Sequence, residues 1–120
     1  MEQLVADIFA RDCTSRPTLE AVAGKWGILA LAALHDGSFR FNALRRKVDG
    51  VSEKMLSQTL QTLERDGMVL RDVQATIPPR VEYSLTPLGH KVAEKLVDLI
   101  ELVESEMPQV HEAQSRYDAS

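Results

Sequence analysis

The sequence is short of several things, and each shortage narrows what the chain can be. It has one cysteine in 120 residues, which excludes an internal disulfide framework. Its three histidines, His35, His90 and His111, are far apart and lack metal-ligand spacing, so no metal site is expected. Aromatic residues make up 5%, too few for a platform that stacks single-stranded bases. No apolar run approaches the ~20 residues of a membrane span. The opening MEQLVADIFARD has no basic region followed by an apolar stretch, so no signal peptide is expected and the chain reads as cytoplasmic. There is no phosphate-binding loop, nucleophile elbow or catalytic carboxylate pair in a supporting context. Neither enzymatic activity nor a cofactor is expected.

What is present is ordinary in amount and uneven in distribution. The length suits one domain with a core of its own, and 44% apolar with 27% charged residues is usual for a globular chain. The net charge of −4 disfavours a polyanionic partner at first sight. Yet between Arg40 and Arg65 six Lys/Arg face three acids, while from Glu94 to Asp118 seven acids face two bases. The acidic tail sets the sum, and the middle of the chain is basic.

That basic middle, FNALRRKVDGVSEKMLSQTLQTLER, reads as two helices and a tight turn. Leu44 and Val48 give the first helix a buried side. Asp49-Gly50-Val51 makes the turn, with glycine where a positive φ is needed. Ser52 caps the second helix and Glu53 suits its positive end. Leu56, Leu60 and Leu63 recur on one face. Lys54, Gln58, Gln61 and Arg65 occupy the other, with Ser57 and Thr62 on its flanks. This is the helix-turn-helix pattern.

The flanking segments extend it. Residues 3–10 suggest a short helix that must dock to persist. Thr18 is a plausible N-cap for one helix to about His35, with Leu19, Val22, Trp26, Leu29, Ala30 and Ala33 inward. Gly24 and Gly27 within it suggest a close backbone approach, and Trp26 reads as core. Asp36-Gly37 stops the helix, and Ser38-Phe39-Arg40 allows a one-bridge strand. Met68–Val73 and Arg80–Leu85 read as strands around a loop containing Pro78-Pro79, which makes a β-hairpin wing. Thr86-Pro87 starts a final helix. Its stripe of Val92, Leu96, Leu99, Val103 and Met107, widened by Leu88, Ile100 and Leu102, exceeds what one copy can cover. A second copy is the simplest cover. Pro108 kinks or ends this helix.

Together these residues resemble the HxlR-type winged helix-turn-helix regulators of bacteria. The resemblance rests on Cys13, Gly24-Lys25-Trp26, Gly37 with Arg40-Phe41, Leu44-Arg45 and GVSEKMLSQTLQTLERDGMV. It continues through Pro78-Pro79, Val81-Glu82-Tyr83 and Leu85-Thr86-Pro87-Leu88-Gly89, in one register from residue 13 to about 104. It implies a homodimer held by the N-terminal segment and the last helix, bound to operator DNA. Three positions depart from the family pattern. Cys13 is followed by Thr14-Ser15-Arg16-Pro17 rather than directly by proline. Ala43 stands where a Glu usually precedes the Leu, and Leu102 where a Trp is frequent.

The expected fold is mainly α with a small β-hairpin wing, in one domain. A dimer arm spans residues 1–16, the winged helix-turn-helix 18–85 and a dimerisation helix 87–116. Ser52, Lys54, Ser57, Gln58 and Gln61 face the major groove, where Gln can pair with adenine and Lys with guanine acceptors. Arg40, Arg45 and Arg46 suit phosphates. Arg80 contacts the backbone or minor groove from the wing, or else pairs with Glu82 or Asp72. Cys13, flanked by Arg11 and Arg16 and opposed by Asp12, is either an oxidant or electrophile sensor or a packed thiol. The expected partner is double-stranded DNA carrying an inverted repeat, with an oxidant or small-molecule effector. Two alternatives are a winged-helix module for protein contact and a ligand-responsive repressor without thiol chemistry.

Overall fold

The computed structural model describes residues 7–120. Its first helical segment is not continuous. Helix α1 spans Arg16–Ala23 and α2 spans Lys25–His35. Gly24 between them is extended, with φ −68° and ψ 165°. The expected N-cap at Thr18 is corrected: the N-cap is Ser15, three residues earlier, with Pro17 in the first turn, where a missing N–H costs nothing. The break also changes the phase of the buried face. Leu19 and Leu29 are exposed and Trp26 is half-buried, whereas Leu31 and Leu34 fill the core beside Val22, Ala30 and Ala33. Gly27 shows why the chain bends here. A Cβ at this position would overlap the carbonyl oxygen of Ala21, so α1 turns back against α2 only over a glycine.

Residues 7–15 form successive turns, such as Ala10 N–H to Asp7 O at 3.0 Å and Cys13 N–H to Ala10 O at 3.1 Å. The short helix expected over residues 3–10 is therefore absent from its described part, and its beginning lies outside the described residues.

Strand β1 (Phe39–Arg40) precedes α3 (Phe41–Lys47) and α4 (Glu53–Arg65). Helix α4 closes through Gly67 N–H to Glu64 O at 3.0 Å and Met68 N–H to Leu63 O at 2.9 Å, which puts Met68 against Leu63 in the core. Strands β2 (Val69–Gln74) and β3 (Arg80–Leu85) follow. The three strands form an antiparallel sheet in the order β1-β3-β2. β1 pairs through two residues rather than one, Phe39 with Tyr83 and Arg40 with Glu82. Tyr83 and Leu85 point into the core, as the alternation requires.

Helix α5 (Pro87–Ser105) is capped by Thr86, whose hydroxyl accepts from Gly89 N–H at 2.9 Å. The same hydroxyl donates to Gly67 O at 2.6 Å and stitches the start of α5 to the end of α4. The single terminal helix expected over 87–116 is two helices. Glu106 interrupts it, and α6 (Met107–Ala119) restarts with Pro108 in its first turn. Ala93 and Leu96 of α5 are buried against the core, but Leu99, Leu102 and Val103 are exposed, and α6 buries nothing. The radius of gyration is 17.3 Å, against about 14 Å for a compact globule of this length. No helix among the described residues is long and apolar enough to cross a membrane.

Candidate nucleic-acid interface

The exposed face of α4 is set by what its other face must bury. Leu56, Leu60 and Leu63 are sealed inside, which fixes the rotation of the helix. Lys54, Gln58, Gln61 and Arg65 consequently face solvent, with Ser57 half-exposed on one flank. The Ser52 hydroxyl accepts from Met55 N–H at 3.0 Å, so the cap holds. Ser52 itself is exposed beside the turn.

The turn before α4 is anchored by two valines. Val48 and Val51 are both buried, and Gly50 between them takes φ +90°. Arg45 crosses this turn. Its Nε donates to Val51 O at 3.5 Å, and Nη1 lies 4.0 Å from Glu53 Oε2. Arg45, expected as a phosphate ligand, is exposed and in this conformation spans from α3 to the start of α4. The ion pair is exposed, so it orients more than it stabilises.

The other arginines converge on the wing. Arg40, Arg46 and Arg80 line one groove of about 780 Å³ between the start of α3 and the 75–79 loop, together with Phe41, Asn42 and Ile77. No carboxylate among the described residues lies within 4.0 Å of any of the three guanidinium groups. The alternative pairing of Arg80 with Glu82 or Asp72 is not formed. Glu82 Oε2 instead accepts from Gln74 Nε2 at 3.4 Å. The loop is braced by the Thr76 hydroxyl donating to Pro78 O at 2.6 Å.

Two basic residues near α4 are not evident from the sequence. Arg71 of β2 shares a cleft with Ser57, Gln61 and Glu64. Alternation puts it on the same sheet face as Val69 and its partner Tyr83, and the sheet order brings that face beside α4. Lys25 lines a groove on the opposite flank of α4 with Trp26, Met55 and Gln58. Its signal is the Gly24-Lys25 pair, which a continuous helix over this segment would hide. His35 and His90, distant in sequence, lie edge to face with ring centroids 6.5 Å apart. Among the described residues no cluster of three or more His, Cys, Asp or Glu could hold a metal ion.

Cys13 lies in the turns before α1 and is partly exposed. Its Sγ is 3.1 Å from Ser15 Oγ. The Ser15 hydroxyl holds the thiol below its ordinary pKa, helped by the backbone N–H groups of Ser15 and Arg16. Partial burial and the Asp7 carboxylate oppose this. The flanking arginine charges expected to favour the thiolate are replaced in that role by hydrogen bonds, and Asp12 by Asp7.

A capped two-helix unit, a two-stranded wing and guanidinium groups between them define a winged helix-turn-helix protein. The chain belongs to the HxlR-like helix-turn-helix family, whose profile matches residues 21–111. It is 51% identical over 104 residues to the HTH-type transcriptional regulator YtfH of Escherichia coli (strain K12), covering 87% of this chain and 82% of that one. The solved structure of the regulator ytfH from Salmonella typhimurium superposes with a TM-score of 0.87 at 49% identity, over 92% of this chain and 99% of that one. The redox regulator HypR in its oxidized form superposes at 0.71 and 38% identity, over 78% and 96%. This protein is accordingly a transcriptional regulator of the HxlR type, a family that implies binding to DNA.

Proposed function

We propose that the protein binds a specific operator as a homodimer. Helix α4 enters the major groove, and the wing lies over the adjoining backbone. The observation that carries this is the capped α4 itself. Lys54, Gln58 and Gln61 stand free on a helix whose rotation is locked by three buried leucines. Glutamine reads adenine bidentately and lysine reads guanine acceptors from such a position. Arg40, Arg46 and Arg80 supply phosphate contacts that set register. Residues 87–116 act as the dimerisation element, because Leu99, Leu102 and Val103 form an apolar stripe that no part of the described chain covers. With two copies related by a two-fold axis, half-site centres fall about 34 Å apart or at a multiple of that spacing.

The test is a titration of the full chain against its own upstream region and against random duplex of equal length, across a range of salt. Specific binding with a steep salt dependence supports the reading. Equal or absent binding to both overturns it and favours a winged-helix module for protein contact.

The thiol supports a second, regulatory reading. Cys13 is the chain's single cysteine, its thiolate is favoured by Ser15, and the similar HypR is a redox regulator. In this reading, oxidation at Cys13 releases the operator. Diamide, with reductant added back, tests it on the wild type and on Cys13→Ser. Reversible loss of binding in the wild type alone supports a thiol switch. Binding indifferent to diamide moves the search for an effector to the groove of about 500 Å³ between α2 and α5, which Leu29, Val48 and Ile100 line.

A further inference from the structure

Three arginines line the groove between α3 and the wing loop, but a flank of α4 is also built for an anion. Its groove, about 300 Å³, lies between the α1–α2 junction and α4. Lys25 stands at its rim as the first residue of α2. The Lys25 ammonium sits 4.5 Å from the centroid of the Trp26 ring, and no carboxylate among the described residues lies within 4.0 Å of it. Glu20 is the only acid on this groove, and Arg16 holds its Oε1 at 3.9 Å. Gln58, Thr59 and Thr62 of α4 form the opposite wall. Further along the same flank, Thr14, Thr18, Arg65 and Asp66 line a second groove of about 370 Å³. Trp26 ties this wall to the helix-turn-helix, since its ring edge lies 4.0 Å from where a Cβ of Gly50 would stand.

A helix lying in a major groove has one phosphate backbone along each flank. We infer that this flank is a second backbone track, with Lys25 as its main phosphate ligand, and that it holds the strand opposite the one met by Arg40, Arg46 and Arg80. The inference rests on the reading of α4 as a major-groove helix. Its chemistry is that of a phosphodiester. The ammonium is braced on an aromatic face, with the Gln58 amide and the Thr59 hydroxyl on the opposite wall. A phosphate contact of this kind positions the protein without reading sequence.

The experiment compares full-length wild type, Lys25→Gln and Lys25→Arg by fluorescence anisotropy, on the upstream duplex and on random duplex, between about 50 and 200 mM salt. Lys25→Gln is expected to make the log–log salt slope shallower by about 0.9 per protomer. At about 0.15 M salt that weakens binding about five-fold per protomer, equally on both duplexes, so the specificity ratio holds. Lys25→Arg is expected to restore the slope. A wild type without salt-sensitive, specific binding defeats the reading of α4 and this inference with it. A wild type that binds specifically while Lys25→Gln keeps its full slope defeats this inference alone. A lowered melting temperature with an unchanged slope also defeats it, because Lys25 then only steadies Trp26.

Discussion

Helices α4 and α6 are both 13 residues long, and they solve opposite problems. α4 has a capping serine, an acid in its first turn and three leucines that vanish into the core. α6 has no side-chain cap and buries no residue. A helix this short has little stability of its own in water. α4 is held by the chain that contains it, whereas α6 packs mainly on the end of α5 among the described residues. The difference runs through α5 itself. Its first half is clamped by Thr86 and buries Ala93 and Leu96, while its second half presents Leu102 at 59% exposure. The molecule is thus a closed winged-helix core with an open arm, and only the core's apolar periodicity is satisfied inside one copy.

The comparison breaks most severely if the core is opened. Leu60 is 1% exposed at the centre of the buried stripe of α4. Leu60→Ala is expected to cost about 2–5 kcal/mol, from lost transfer energy and the cavity left behind. Denaturant unfolding followed by circular dichroism measures this. A loss below about 1 kcal/mol would mean that the rotation of α4 is not set by its leucines.

The arm should answer differently. Leu99→Glu with Val103→Glu places two charges on its uncovered stripe. If that stripe joins two copies, sedimentation velocity will show the mass fall from dimer to monomer at micromolar concentration, with the helical signal largely kept. Operator affinity should fall by at least an order of magnitude, because two half-sites are no longer bound together. An unchanged dimer would place the interface elsewhere. The same substitutions in a buried stripe would unfold the chain, so a folded monomer is the outcome that separates arm from core.

Both regions are partly legible in the sequence, for different physical reasons. From Phe41 to Leu85 nearly every signal is local: a cap, a glycine with positive φ, a period of 3.6, then a period of 2. Such signals survive folding because each is satisfied within a few residues, and the strand limits differ from expectation by one residue at most. The α1–α2 segment is harder to read, because Gly24 looks like a weak helix residue and is in fact a break. That break shifts the inward set from Leu19 and Leu29 to Leu31 and Leu34. No local rule separates the two, since the decision depends on how closely α1 packs over Gly27. At the interface, the exposed α4 residues follow directly from the buried stripe. The span of Arg45 from α3 to α4 and the nearness of Arg71 and Lys25 to α4 do not, because they depend on contacts between elements.

A smaller effect tests why α4 starts where it does. Ser52→Ala removes the acceptor for Met55 N–H. The expected loss is about 1 kcal/mol in denaturant unfolding, with operator binding weakened if the first turn frays. Helix α6 supplies the contrast, since it has no side-chain cap to remove. Ser115→Ala, on the exposed face of α6, should leave stability within about 0.5 kcal/mol. Equal losses at the two serines would remove the distinction between a helix held by its own chain and one that is not.

The smallest effect is local to Cys13 and has a definite direction in pH. Hydrogen bonds from Ser15 favour the thiolate, so the folded chain holds its thiol pKa below the ordinary value. Only the thiolate attacks an alkylating agent. The iodoacetamide rate should therefore reach half its maximum at a lower pH in the folded protein than in the urea-unfolded one. Ser15→Ala removes the hydroxyl 3.1 Å from Sγ. The midpoint should then move up in pH, and the rate near neutrality should fall, because fewer thiols are ionised there. The shift should be absent in urea, where Ser15 is no longer held beside the sulfur. A midpoint that stays put in Ser15→Ala would show that the hydroxyl does not tune the thiol. Any oxidant sensitivity of operator binding would then have to come from the exposure of Cys13 alone.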